Sequence, residues 1–277
     1  MKERPTPVRA CLLDIEGVLV RDKRYAPVPG AVAWLEAVAE RGVPFALVSN
    51  NTTHPPSALA SALAGAGFPV TEERLVSALA VGARLLQGWG KTRLLWLGQP
   101  DLADWWEEQG FTLVDSGAAD AVVVGLNEQL RVEDLDRALP ALVDHGAELV
   151  ALHRNLFYLD SRGERRFGPG FYVAGLARAA REEPVVVGKP HERIYREALR
   201  RLGVPAAETL FVSDDPEADL VTAGRLGMTT AFVLSGKHAD AAVLGRLDQQ
   251  EWPDIIAASL ADVPLPGEDA AGEEPAT

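Results

Sequence analysis

Short apolar runs without alternation punctuate the chain, and each ends in a polar or glycine-bearing stretch followed by a helical stripe. The first run, over 8–13, reads as a strand buried on both faces, followed by an acidic residue and a turn. Apolar residues at Val32, Leu35, Val38 and Ala39 then predict a helix over 29–40, opened by Pro29 and closed by Gly42. The pattern repeats as a strand over 45–48 and a helix over 56–66. Thr71 is expected to cap a further helix that reaches Gly88. Strand and helix in alternation predict a parallel sheet with right-handed crossovers.

Beyond Gly88 the pattern changes. Strands over 93–97, 111–114, 121–126 and 148–153, with helices over 102–109 and 132–145, predict a second, smaller α/β unit. The stretch 157–167, with Ser161-Arg162-Gly163 inside it, reads as a hairpin. The all-buried strand style resumes at 185–187, then a helix over 192–202, a strand over 210–212, a helix over 219–226 and a strand over 230–234. The expected fold is therefore α/β, with a doubly wound parallel-sheet core over 1–88 and 184–262 interrupted by an inserted α/β domain over 89–183. No internal repeat is found. The last stretch, 263–277, has four acids, no base and three prolines, and reads as a solvated acidic tail.

Composition narrows the partners. At 277 residues, a prior of about 150 per domain gives roughly two domains. Forty acidic against 27 basic residues leave a net charge of -13, which opposes attraction to nucleic acid or anionic lipid. No apolar run is long enough to span a membrane, and the charged, proline-bearing start has no apolar stretch behind it, so neither an anchor nor a secretory signal is expected. A single cysteine, Cys11, forms no internal disulfide and fits a reducing cytoplasm. Lying mid-strand, it reads as an inert core residue.

Four expected strand ends carry polar residues: Asp14-Ile15-Glu16-Gly17, Ser49-Asn50-Asn51-Thr52, Gly188-Lys189-Pro190, and Ser213-Asp214-Asp215 with Asp219. Ligands of open parallel sheets sit beyond such ends. Carboxylates offer hard oxygen donors to Mg²⁺, while lysine, hydroxyl and amide groups suit a phosphate, so the combination points to phosphoryl chemistry. Asp14 or Asp214 alone could be a helix cap; four clusters in order read as one active site. Asp215 and Glu217 read as first-turn acids that complement a helix dipole. His54, before Pro55-Pro56, reads as a loop residue, while His153 and Arg154, at a strand end of the insertion, stand open between packing and a substrate-facing role. Of the neighbours Trp105 and Trp106, at most one can face a core.

In these four motifs and their order the sequence resembles the haloacid dehalogenase (HAD) superfamily. The Ser-Asn-Asn-Thr form of the second motif and the insertion after it resemble the NagD-like subclass IIA, which has a large α/β cap. His153-Arg154-Asn155-Leu156-Phe157-Tyr158, Gly168-Pro169-Gly170-Phe171 and Val187-Gly188-Lys189-Pro190 are similar to phospholysine phosphohistidine inorganic pyrophosphate phosphatase-like proteins. The resemblance implies a Mg²⁺-dependent phosphatase acting on a small phosphorylated metabolite. Asp14 would be the nucleophile, forming an aspartyl-phosphate. Asp14, Asp214 and the backbone carbonyl of Glu16 would hold Mg²⁺. Ser49, Asn50 and Asn51 would bind the phosphate, with Lys189 neutralising both phosphate and Asp14, and Asp219 orienting metal waters or Lys189. Homodimerisation through the cap is implied as well.

Two positions depart from the superfamily pattern. Ser213 stands where the fourth motif usually has glycine, and Glu16 where the first motif usually has the aspartate that serves as general acid and base. Enolase-phosphatases of the superfamily carry a similar Asp-Ile-Glu-Gly motif, which implies that glutamate can serve. Pyrophosphatase or phosphoamidase activity, and a phosphate-binding protein whose catalysis has decayed at Glu16, stay open as alternatives.

Overall fold

Ala10–Leu13, wholly buried, forms the first strand, β1, in a computed structural model that describes residues 7–21, 24–159 and 164–267. It is followed by α1 (Ala31–Glu40), β2 (Phe45–Ser49), α2 (Pro56–Gly65), β3 (Leu75–Ser77) and α3 (Ala78–Gly88). The middle of the chain gives β4 (Arg93–Leu97), α4 (Ala103–Glu108), β5 (Thr112–Leu113), β6 (Ala121–Val124), α5 (Val132–Val143), β7 (Glu148–Ala151), β8 (Phe157–Leu159), β9 (Arg165–Phe167), α6 (Pro169–Ala180) and β10 (Val185–Val186). Then come α7 (Glu192–Leu202), β11 (Thr209–Ser213), α8 (Val221–Arg225), β12 (Thr229–Val233) and β13 (Ile255–Ala257).

One sheet has six strands in the order β13-β12-β11-β1-β2-β3, and a second has five in the order β10-β7-β6-β4-β5. β1 runs parallel to both β2 and β11, so the strand order reverses at β1, where an open α/β sheet offers its ligand crevice. The described residues divide into two compact units, one drawn from 7–48, 60–75 and 195–267, the other from 49–59 and 76–194. The insertion expected over 89–183 lies wholly within the second.

In the first unit Leu12, Leu13, Phe211, Val212 and Phe232 are fully buried. The second has its own core, in which Leu95, Leu97, Val122, Val124 and Leu149 of the sheet meet Ala138, Ala141 and Leu142 of α5 and Val173 and Leu176 of α6. Each large apolar side chain so buried contributes about 1.5–3 kcal/mol. Trp106 is buried against Trp96 and Phe111 while its neighbour Trp105 stays partly exposed, as adjacent helical positions require. Burial also pushes the Cys11 thiol far up, so it is an inert core group. No helix among the described residues is long and apolar enough to cross a membrane.

Several elements differ from the sequence expectation. Thr71 opens only a single 3-10 turn over Glu72–Arg74; β3 follows, and α3 is capped by Ser77, whose Oγ accepts the Ala80 N–H at 3.2 Å. The strand at 185–187, expected in the core sheet, is β10 and pairs in parallel with β7 of the five-stranded sheet. α6 was not expected at all. Pro169 starts it, and glycine is needed on either side, because a Cβ on Gly168 or Gly170 would collide with the backbone of Asn155 or Arg154. β13 was likewise not expected; it is locked to β12 by Asp254, whose carboxylate accepts the N–H and hydroxyl of Thr230. The expected helix over 219–226 begins with a π-helical turn, Pro216–Leu220, before α8. The hairpin forms as β8 and β9, antiparallel, with its turn outside the described residues.

The acidic tail expected over 263–277 does not begin at Val263. Val263 is buried and its carbonyl accepts Trp34 Nε1–H at 2.8 Å, because an apolar side chain and a buried indole donor both find partners there. The remainder of the expected tail, 268–277, lies outside the described residues.

Candidate functional site

Register explains why two aspartates converge in the first unit. Leu13 of β1 is paired with Val212 of β11, and the Asp14 N–H donates to the Val212 carbonyl at 2.9 Å, so Asp14 and Asp214 leave adjacent strands at the same edge. Asp14 Oδ1 accepts the Ile15 N–H at 2.8 Å. A tight turn follows: Gly17, at φ 77°, donates its N–H to the Val20 carbonyl at 2.7 Å and leaves the Glu16 side chain exposed. Glu16 lies close enough to Tyr25 for its charge to add to burial in pushing the tyrosine hydroxyl up.

Asp214 is enclosed by a loop that sequence reading missed. The Lys237 N–H donates to Asp214 Oδ2 at 2.6 Å, Lys237 Nζ pairs with Asp215 Oδ2 at 2.6 Å, and Ser235 Oγ–H donates to the Gly17 carbonyl at 2.6 Å. The signal was available: Ser235-Gly236-Lys237 is a polar, glycine-bearing group at the end of the predicted strand over 230–234. Asp215, expected as a first-turn acid, instead caps the turn, accepting the Ala218 N–H at 3.1 Å through Oδ1. Glu217 pairs with Arg246 at 3.5 Å.

Asp219 is 3% exposed, and its Oδ2 accepts the hydroxyl of Ser213 at 2.6 Å. Thus the departure from glycine at Ser213 supplies a donor to a buried carboxylate. The wide turn over Pro216–Leu220 carries Asp219, whose backbone carbonyl accepts the buried Tyr195 hydroxyl at 3.2 Å. Burial, followed by the charges of Asp219, Asp14 and Asp215, holds that hydroxyl well above its usual range.

In the second unit the loop 49–54 is self-organised. Ser49 Oγ accepts the Asn51 N–H at 3.0 Å, and Asn51 Oδ1 accepts the N–H groups of Thr53 and His54 at 3.1 and 3.0 Å. His54 Nδ1 meets the Thr53 hydroxyl in the same exposed loop. Asn50 reaches further along the chain: its Oδ1 accepts the Lys189 N–H at 2.8 Å and its Nδ2 donates to the Lys189 carbonyl at 2.9 Å. Gly188 permits this, since a Cβ there would collide with Asn50 Oδ1 and the Leu152 carbonyl. Lys189 is 5% exposed. His153 is also buried, which lowers its pKa to about 4, and its Nδ1 accepts the Asn155 N–H at 3.4 Å.

Among the described residues no three His, Cys, Asp or Glu side chains form a metal cage. The donor set of Asp14, Asp214 and the Glu16 carbonyl nevertheless fits Mg²⁺, which takes one or two carboxylates and keeps several waters. All three groups lie at the ends of adjacent strands of one unit.

The family described as Haloacid dehalogenase-like hydrolase matches residues 11–112, and the one described as HAD-hydrolase-like matches 186–263. The Haloacid dehalogenase-like hydrolase domain-containing protein 2 of Rattus norvegicus is 31% identical, over 83% of this chain and 86% of its own. Ribonucleotide monophosphatase NagD of Escherichia coli (strain K12) is 30% identical, over 83% of this chain and 88% of its own. In structure, the p-nitrophenyl phosphatase from Archaeoglobus fulgidus superposes with a TM-score of 0.83 at 28% identity, covering 93% of this chain and 98% of that one.

Proposed function

The chain belongs to the haloacid dehalogenase-like hydrolases and is a phosphatase of that family; on that premise we propose that it hydrolyses a small phosphate monoester through an aspartyl-phosphate on Asp14, with Mg²⁺ as cofactor. The observation that carries this reading is the delivery of Asp14 and Asp214 to one strand edge by the pairing of β1 with β11. An Asp14 carboxylate oxygen attacks phosphorus, the bond to the leaving oxygen breaks, and Glu16 gives that oxygen its proton. Glu16 then takes a proton from water as the water attacks phosphorus, which breaks the bond to Asp14 and releases inorganic phosphate.

Ser49, Asn50, Asn51 and Lys189 bind the phosphate in this scheme. The hydrogen bonds of Asn50 to both backbone groups of Lys189 support a shared role for the two loops. Asn51, whose N–H and Oδ1 hold its own loop together, contributes through its Nδ2. Asp14, Asp214 and the Glu16 carbonyl would hold Mg²⁺, which would supply positive charge for phosphoryl transfer. Asp219 keeps Ser213, and with it the turn that starts at Asp214, in place. A cytoplasmic location and a homodimer formed through the cap belong to the same reading, supported by the lone buried Cys11 and by the family resemblance.

A panel of phosphorylated metabolites with Mg²⁺, read by released phosphate, tests this function. Release that stops on chelation and in Asp14→Asn supports it; binding of metal and phosphate without release at any substrate makes the chain a decayed binding protein instead, and a preference for P–N or P–O–P bonds makes it a phosphoamidase or pyrophosphatase.

A further inference from the structure

Among the described residues, five charged side chains ring a groove of the second unit without pairing. The groove has a volume of about 340 Å³ and is lined by Arg154, Arg178, Arg181, Glu182 and Glu183, none of which forms an ion pair or a side-chain hydrogen bond with a described residue. Ala174, Ala177, Arg178 and Arg181 stand at i, i+3, i+4 and i+7, so one face of α6 and its end presents two small side chains and then two guanidinium groups. The third guanidinium, Arg154, comes from the segment after β7. No residue of the four polar strand ends lines this groove.

Helix electrostatics account for only one of the three arginines. Arg178, in the last turn of α6, offsets the helix dipole wherever its side chain points. Arg181 ends the helix at φ 59°, a left-handed conformation that glycine adopts freely and arginine only with strain. Arg154 belongs to no helix.

A guanidinium presents a planar fork of donors that matches the oxygens of a carboxylate or a phosphate. Three forks around one groove suit a molecule with more than one such group, and the volume falls within the range of about 300–1,000 Å³ common to small-molecule sites. The net charge of -13 and the two glutamates on the same groove disfavour an extended polyanion such as nucleic acid. We propose that the groove between α6, Arg154 and Pro184 is a second ligand site, built from residues outside the phosphatase machinery, that binds a small molecule carrying at least two phosphate or carboxylate groups.

Calorimetric titration of the full chain in metal-free buffer tests this, with inorganic pyrophosphate as the phosphate probe and citrate as the carboxylate probe. The wild type binds at least one of them; pyrophosphate alone assigns the site to phosphates, citrate alone to carboxylates. Arg154→Ala and Arg178→Ala each weaken that binding about 10- to 100-fold, the worth of a charge-assisted hydrogen bond. Ala174→Leu keeps every charge but fills the groove, and weakens binding as well. Arg181→Gly weakens binding without lowering the thermal midpoint, because glycine relieves the left-handed strain. Hydrogen exchange places the ligand: the bound probe slows exchange over 173–184. Binding of neither probe, affinity unchanged in both Arg154→Ala and Arg178→Ala, or an Arg181→Gly chain that loses stability and keeps its affinity overturns the site. Slowed exchange confined to the four polar strand ends also overturns it, since the anion then sits where the phosphatase chemistry is proposed.

Discussion

Asp14 and Asp214 owe their places to strand register, whereas the main chain of Lys189 is held by one side chain. β1 and β11 are paired at four successive positions, so the edge at which the two aspartates emerge is set by many backbone hydrogen bonds and by fully buried residues such as Leu13 and Val212. Lys189 follows a two-residue strand, and both its N–H and its carbonyl are bonded to the amide of Asn50. The first arrangement spreads the cost of any single change over a sheet; the second concentrates it. Substitutions in the first unit should therefore report on chemistry, and those at Asn50 on the geometry of Lys189 together with phosphate binding.

The largest effect is expected from Asp14→Asn, which is nearly isosteric but carries neither a nucleophile nor an anionic ligand. Turnover should fall by about 10⁴-fold or more, with an unchanged circular dichroism spectrum; substantial residual activity would remove Asp14 from the mechanism. Next is Glu16→Gln. Alkyl phosphates, whose leaving groups need a proton, should lose about 100- to 1000-fold in steady-state rate, while an aryl phosphate should keep its first step and show a burst of released phenol. Equal rates for wild type and variant on both substrates would reduce Glu16 to a backbone carbonyl.

Asn50→Ala is the direct test of concentrated support. Loss of two bonds to the Lys189 main chain should lower kcat/KM about 100-fold through misplacement and cost about 1–3 kcal/mol of stability. If neither moves, Lys189 is held by something other than Asn50.

The smallest effect separates the units by acidity. His153 is buried and neutral, with a folded pKa of about 4 against an ordinary value of about 6.5. Between those values only the unfolded chain takes up the proton, so stability falls as pH drops from about 6.5 to about 4, by up to about 3 kcal/mol. Glu197 in the first unit behaves oppositely in range: hydrogen bonds from Arg200 and then Arg201 lower its pKa to about 2. Its contribution is complete above about pH 4.5 and is lost only as pH falls through about 2. Hydrogen exchange at pH 7 and pH 5 should thus show loss of protection in the second unit first, and His153→Gln should flatten that dependence.

The buried strands were legible because Ala10 to Leu13, Leu210 to Val212 and Ala121 to Val124 are apolar without alternation, which only a doubly covered sheet requires. The four polar strand ends were legible for the same reason, since polar groups have no other business at the close of such runs. Nothing in Val185-Val186-Val187 says which of two parallel sheets it joins, and the sheet was misassigned. Leu75–Ser77 and Ile255–Ala257 are too short for a period, the second being only half-buried and preceded by Pro253-Asp254. Ser213 read as a departure from glycine, because its value lies in a carboxylate six residues on that only the π-helical turn brings back.

Near the far end of the described chain, beyond Val263 with its bond to Trp34, the N–H of Gly267 donates to the carbonyl of Val8 at 3.0 Å. The entry into β1 and the last described residues of the first unit are thus neighbours, close enough to be closed by a few added residues. A circularly permuted chain, joined there and reopened at an exposed loop such as the one around Glu128 and Gln129, keeps every strand partner it had. What it alters is the order of synthesis: β1, which precedes its partner β11 in the chain, is then made after it, so the fold's dependence on waiting for a distant segment becomes an adjustable property rather than a fixed one.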